Sequence, residues 1–193
     1  MSIVFLKNFN LFFNINLQIL DNNIKYLYIN YFSTKGGIFV YTFISHSEDD
    51  TMSFAKKLAS KLSPKDVVVL SGDLGSGKTK FTEGFLSYFG LSEEISSPTF
   101  TIVNEYNKDN INIYHFDVYR ISSTDEFYAI GGDGYFDNGI CIIEWGEIIE
   151  DALPSSYIKI DFERDFEHEN TRILKVSAIG NKYIDLINEF MTQ

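Results

Sequence analysis

Apolar residues along this chain fall into two rhythms: short unbroken runs, and recurrence at every third or fourth position. Residues 67–70 and 140–143 are unbroken β-branched or aliphatic runs, the pattern of strands buried on both faces of a parallel sheet. Phe54, Leu58 and Leu62 recur at helical spacing, which predicts a helix over about residues 50–62. Ser47 or Asp49 caps it and Pro64 ends it. A second helix is expected over 78–89, directly after a glycine-rich turn. Strands are expected at 41–45, 100–106 and 111–117, the last two joined by the turn Lys108-Asp109-Asn110. A short helix opens at Thr124-Asp125-Glu126 and breaks at Gly131-Gly132. Beyond Pro154, strands at 157–162 and 172–178 flank a charged loop. An amphipathic helix at 181–191 closes the chain, with Ile184, Ile187 and Phe190 on one face. Strands alternating with helices predict an α/β fold, a single domain whose mostly parallel central sheet is flanked by helices.

Composition narrows the picture. At 193 residues and 45% hydrophobic, the chain has the length of one domain and enough apolar material for a core. The net charge of −11 argues against a surface that grips nucleic acid by itself. Lys56, Lys57 and Lys61, on one helix, are the only basic cluster. An acidic surface better suits a basic protein partner. Cys141 is the only cysteine, so no intrachain disulfide forms and a cytoplasmic location is expected. It reads as a small buried hydrophobe within the 140–143 run. His46, His115 and His168 lack zinc spacing.

Residues 1–40 differ from the rest. They hold Lys7, Lys25, Lys35 and one acid, Asp21. Asparagines at 8, 10, 14 and 16 interrupt every apolar run, so no stretch nears the ~20 residues of a membrane span, and no uninterrupted signal-peptide core exists. The segment reads as an interfacial anchor, an extra strand or helix, or a translated non-native leader. The last is favoured, because Lys35-Gly36-Gly37 can be encoded by a ribosome-binding sequence and Val40 by an alternative start codon. The expected organisation is thus an extension over 1–40, leader or disordered, and a domain over 41–193.

The chemistry is concentrated in Gly72-Asp73-Leu74-Gly75-Ser76-Gly77-Lys78-Thr79, a full match to G-x-x-x-x-G-K-[ST]. The glycines let the backbone curl so that consecutive N–H groups face phosphate oxygens, and the helix that follows adds its positive end. Leu74, Gly75, Ser76 and Gly77 form the loop, Lys78 is expected to bridge the β- and γ-phosphates, Thr79 to ligate magnesium, and Lys80 to flank the nucleotide. A chance match arises in roughly 1% of chains this long, given glycine near 7% of residues. Here the motif also lies between an apolar strand and a helix, its required context.

Such a loop needs an acid at a neighbouring strand end. Asp117 and Glu144 each end an apolar strand, where the ligand crevice of an α/β sheet opens. Residues 96–101, Ser-Ser-Pro-Thr-Phe-Thr, lie where a switch segment belongs, or form a Pro-led turn into a strand. His115 reads as a sheet residue rather than a base, and Trp145 as a stacking partner for a base or a core residue. Asn181-Lys182-Tyr183-Ile184-Asp185 is one residue too long for the guanine-reading motif and falls in a predicted helix, and no D-x-x-G occurs, which argues against a GTPase.

Residues 72–79, Ser-Pro-Thr-Phe-Thr at 97–101, His-Phe-Asp-Val-Tyr-Arg at 115–120 and Ile-Glu-Trp at 143–145 occur in that order. This ordered set closely resembles the TsaE (YjeE) family, bacterial ATPases of tRNA threonylcarbamoyladenosine biosynthesis. The resemblance spans about residues 41–178. It implies a P-loop fold and magnesium-dependent hydrolysis of ATP in support of a transferase complex that modifies the adenosine beside the anticodon. The implied partners are the tRNA threonylcarbamoyl transferase and its paralogue, which this ATPase would reset between cycles; contact with tRNA is indirect or weak, and no membrane is involved. By the same resemblance Thr79 and Glu144 are magnesium positions, Asp117 is a further site acid, and Thr51 and Arg172 contact nucleotide. The chain departs from the family at Gly131-Gly132-Asp133-Gly134, and residues 1–40 have no counterpart. Two other readings stand beside it. One is a small-molecule P-loop kinase, though Arg120, Arg164 and Arg172 are dispersed rather than gathered into a lid. The other is a scaffold that ATP orders without turnover.

Overall fold

β-branched runs and helical apolar stripes assemble here into one wide sheet with helices on both faces. The structure, a computed structural model, describes residues 2–5, 11–20, 23–33, 39–91, 98 and 100–192. Three strands, β1 (Ser2–Phe5), β2 (Leu11–Leu20) and β3 (Asn23–Ser33), form an antiparallel meander that joins β4 (Phe39–Ser45), pairing Tyr26 with Phe43 and Ile29 with Val40. Then follow α1 (Glu48–Ala59), β5 (Val67–Ser71), α2 (Lys78–Tyr88), β6 (Val103–Lys108), β7 (Ile111–Asp117), α3 (Thr124–Ala129), β8 (Ile140–Glu144), β9 (Tyr157–Arg164), β10 (Arg172–Ile179) and α4 (Ile184–Thr192). The strand order is β1-β2-β3-β4-β10-β9-β5-β8-β7-β6. At its centre β9, β5, β8 and β7 run parallel, while β4 and β10 on one side and β6 on the other are antiparallel additions. The seven strands from β4 onward thus form the mixed central sheet of a single α/β domain, with β5 in its middle.

Every residue of β5 and β8 is buried, as unbroken apolar runs require. Successive side chains point to opposite faces. Val68, Leu70, Ile140, Ile142, Ile160 and Phe162 meet α1, α2 and α4, whereas Val67, Val69, Cys141 and Ile143 meet α3 and the irregular segments on the other face. Phe54 links the helical layer, stacked on Phe43 at 4.4 Å and edge-on to Phe190 at 5.2 Å. Cys141 is fully buried and burial pushes its thiol up to about 12, in keeping with a packed, unreactive sulfur.

Local signals account for most boundaries. Ser47 caps α1 by accepting from Asp50 N at 3.0 Å, and Glu48, Asp49 and Asp50 complement the helix dipole. β6 starts at Val103, later than the expected residue 100, because Thr101 N and Ile102 N both turn back to Pro98 O and Ile102 adopts φ 69°. The closing helix divides into a 3-10 turn at Asn181–Tyr183 and α4. At Gly84 of α2 an added Cβ would lie 2.3 Å from Met52 O and 2.4 Å from Met52 Cα, so α1 and α2 touch backbone to backbone. Below the sheet, Asp66 accepts from Tyr183 Oη at 2.9 Å and pairs with Lys182 at 2.7 Å, which pins the last helical segment to the start of β5. The Asn181–Asp185 segment therefore packs near the N-terminal end of β5, at the opposite edge of the sheet from the loop that follows β5.

Candidate functional site

The parallel strands β5, β7 and β8 all deliver their C-terminal ends to one edge of the sheet, where a crevice is expected to open. After Ser71 the chain turns through residues 72–77 into α2. Gly72 has φ 132°, and a Cβ there would lie 2.5 Å from Phe162 O, so only glycine lets the loop pass β9. Gly77, at φ 110°, precedes α2 without a side-chain cap, leaving the first helical amides aimed into the crevice. Ser76 is buried, and its hydroxyl has no hydrogen-bond partner among the described residues.

Lys78 is buried. Its ammonium donates to Gly72 O at 2.5 Å and Asp73 O at 3.0 Å, and stands 3.7 Å from the centroid of the Trp145 ring. The carbonyls of the loop itself are its bonded acceptors. Burial draws its pKa below the ordinary lysine value, and Glu144, Glu147, Asp117 and Asp73 pull the other way. Trp145 holds a left-handed conformation, φ 64°, unusual for a bulky residue, and packs against Tyr119 at 5.0 Å.

In the crevice, Glu144 is held by three side chains. One oxygen lies 3.4 Å from Thr79 Oγ1; the other accepts from Thr82 Oγ1 at 3.2 Å and meets His115 Nε2 at 3.0 Å. Both Glu144 and His115 are buried. His115 is thus a sheet residue, as its place in β7 predicts, and one that also fixes the site acid. Asp117 lies beside Glu144 in register on the neighbouring parallel strand and accepts from Tyr119 N at 3.1 Å.

The far side of the crevice comes from separate elements. Thr51, buried in the first turns of α1, has its hydroxyl 2.7 Å from Ser45 Oγ and 3.4 Å from Ser47 O. Arg172, at the start of β10, donates to Glu169 O at 2.7 Å and Thr171 O at 2.9 Å. Lys80 at the rim pairs with Glu83 at 2.9 Å and Glu48 at 3.5 Å. All the site residues expected from sequence except Ser76 line one cleft of about 430 Å³; Ser76 lies buried in the loop itself. His46, Ser47, Glu48 and Asn170 also line it and were not legible as site residues, because each enters through tertiary placement rather than through a motif. Of the switch segment, Ser96, Ser97 and Thr99 lie outside the described residues. Pro98 is buried, and the exposed Phe100 ring carries the Arg120 guanidinium at 4.4 Å.

The donor set fits magnesium of the kind phosphates bring with them. That ion keeps several waters and needs only one or two carboxylates beside phosphate oxygens. Thr79 and Glu144 supply a hydroxyl and a buried carboxylate side by side, and Asp117 a second carboxylate. No group of three or more His, Cys, Asp or Glu residues able to hold a metal without phosphate occurs among the described residues.

A glycine loop between a central parallel strand and a helix, a buried lysine on the loop and an acid at the next strand end define a P-loop protein of the α/β class. The family model described as "Threonylcarbamoyl adenosine biosynthesis protein TsaE" matches residues 45–173, and the chain belongs to that family. Among curated relatives, the Bacillus subtilis tRNA threonylcarbamoyladenosine biosynthesis protein TsaE is 42% identical over 142 residues, 73% of this chain and 87% of the relative. The protein of the same name from Treponema pallidum is 37% identical, covering 73% of this chain and 96% of the relative. The crystal structure of YdiB from Bacillus subtilis superposes with a TM-score of 0.64 at 34% identity, covering 79% of this chain and 95% of that one.

Proposed function

We propose that this chain binds ATP with magnesium in the cleft and hydrolyses it in support of tRNA threonylcarbamoyladenosine synthesis, resetting the transferase and its paralogue between cycles. The observation that carries the reading is the Thr79–Glu144 pair beneath the loop, a hydroxyl and a buried carboxylate 3.4 Å apart where a phosphate-bound cation belongs. Family membership supplies the pathway. No helix among the described residues is long and apolar enough to cross a membrane.

The loop amides and Lys78 hold the β- and γ-phosphates, and Thr79 and Glu144 hold the magnesium, with Asp117 beside them. When bound, that ion neutralises phosphate charge. Attack by water forms an oxygen–phosphorus bond at the γ-phosphorus and breaks the bond to the β–γ bridging oxygen. The electron pair stays on the β-phosphate of ADP, and the proton of the water leaves to Asp117. His115 and Thr82 act through Glu144, fixing its carboxylate. To reach the phosphates, Lys78 exchanges two neutral carbonyls for charged oxygens, the stronger partners.

The test is steady-state phosphate release with and without the purified transferase and paralogue. The expected result is magnesium-dependent release that changes when the partners are added. Transfer of phosphate to a metabolite would replace this reading with a kinase, and tight ATP binding with no release under either condition would replace it with a scaffold. Residues 41–193 are proposed as the functional unit; a chain starting at Val40 is expected to release phosphate like the full chain.

A further inference from the structure

We propose that Arg164 acts on the γ-phosphate as an arginine finger supplied in cis, an inference that rests on the ATPase reading. Arg164 and Arg172 are direct register partners on the antiparallel strands β9 and β10. Opposed residues project to the same face. The next layer inward on that face is Phe162 with Leu174, which packs on the helical side. Arg172 lines the cleft, and Arg164 borders the outer side of the loop, against Leu74 and Gly75, which themselves line the cleft. Like charges directly opposite each other destabilise a sheet. Neither guanidinium is in an ion pair among the described residues; their bonds go to backbone carbonyls. Two cations thus share one rung with neither paired to a carboxylate among the described residues, which leaves both able to take an anion.

Their positions along the loop divide the labour. Arg164 donates to Leu74 O, and a Cβ at Gly75 would fall 2.5 Å from its Nη2, so glycine at 75 is what admits the guanidinium. Arg172 flanks Gly77 at the head of α2, its Cγ 3.9 Å from where a Cβ would be. Lys78 reaches the β- and γ-phosphates in such loops, and here its ammonium marks that end of the loop at Gly72 and Asp73. Arg164, one residue further along at Leu74, therefore lies at the γ end, and Arg172 at the end nearer the nucleoside. Arg164 trades the neutral Leu74 carbonyl for γ-phosphate oxygens, a charge-assisted bond. As the bond from γ-phosphorus to the bridging oxygen breaks and water adds, the guanidinium stabilises the charge that develops on the transferring group. Nothing beyond ATP and water is consumed.

The experiment uses the full chain and the variants Arg164→Gln and Arg164→Ala. Glutamine keeps an N–H able to bond Leu74 O but removes the charge. Three quantities are measured: affinity for ADP, affinity for ADP with magnesium and fluoroaluminate as a mimic of the transferring phosphoryl group, and kcat and KM for ATP. The expected result in both variants is unchanged ADP affinity, with fluoroaluminate binding and kcat each down by at least about tenfold. Wild-type kcat and fluoroaluminate affinity in Arg164→Gln would show that the arginine only braces the loop, and would overturn the inference while leaving the ATPase reading intact. Lost ADP affinity in both variants would also overturn it, since the residue would then hold the diphosphate. A wild-type chain that neither binds ADP nor releases phosphate would overturn the ATPase reading and the inference together.

Discussion

At one end of the cleft, residues 72–80 are a single stretch of chain, set on the middle strand of the sheet and backed by a buried carboxylate with three side-chain partners. At the other end, His46, Ser47 and Thr51 come from the head of α1, and Asn170 and Arg172 from the β9–β10 connection, more than a hundred residues away. The first end has its geometry set on three sides: β5 below, α2 ahead, β8 alongside. The second is held by backbone acceptors and by hydroxyls already bonded to one another. The difference suits a site where the phosphates must be placed to a fraction of an ångström for chemistry while the nucleoside must only be retained.

The largest effect that would test this contrast is at Lys78. Lys78→Ala should lower phosphate release by about a hundredfold or more with the melting temperature little changed, since the ammonium bonds only loop carbonyls and rests on the Trp145 ring. Near-normal release would remove the catalytic role of the phosphate end. Glu144→Gln comes next. It keeps the shape but turns one acceptor oxygen into a donor in a network where Thr79, Thr82 and His115 all meet the carboxylate. Turnover should drop by about a hundredfold while ATP still binds through the loop amides. Unchanged turnover would return Glu144 to the scaffold. At the other end, Arg172→Ala should weaken ATP binding by about tenfold and leave kcat nearly alone, the signature of uniform binding; a fall in kcat without a change in affinity would erase the distinction between the ends. The smallest effect is protonic. Burial holds the Lys78 pKa below its ordinary 10.5, and arriving phosphates raise it again. ATP binding should therefore take up protons, more so as the pH rises toward that value, and calorimetry in buffers of differing ionisation enthalpy measures the uptake. Proton release instead would mean that Lys78 is not at the phosphates.

The same contrast explains what was legible in the sequence. The loop is contiguous and its chemistry dictates residue types at fixed offsets, so Gly72 to Thr79 could be read directly. Asp117 and Glu144 were legible because unbroken apolar runs mark central strands and strand ends mark the crevice. Arg164, Asn170 and His46 had no such signal. Their roles follow from β9 inserting between β10 and β5, and nothing local in the sequence encodes that strand order. The Glu144–His115–Thr82 network was hidden for the same reason: His115 is one strand away and Thr82 one helical turn past the motif. Local competition set the remaining discrepancies, as where the Pro98 carbonyl captures two amides and delays β6.

The backbone contact between Gly84 and Met52 also carries a mechanical consequence. With no side chain between them, α1 and α2 are bolted into one jaw, so the wall bearing Ser47 and Thr51 cannot slide against the wall bearing Lys78 and Thr79. The opposite wall, where Arg172 and Asn170 stand, is joined to this jaw only through the sheet. Any larger residue at 84 would drive a wedge into the fixed jaw and throw the two ends of the cleft out of alignment, although it touches neither.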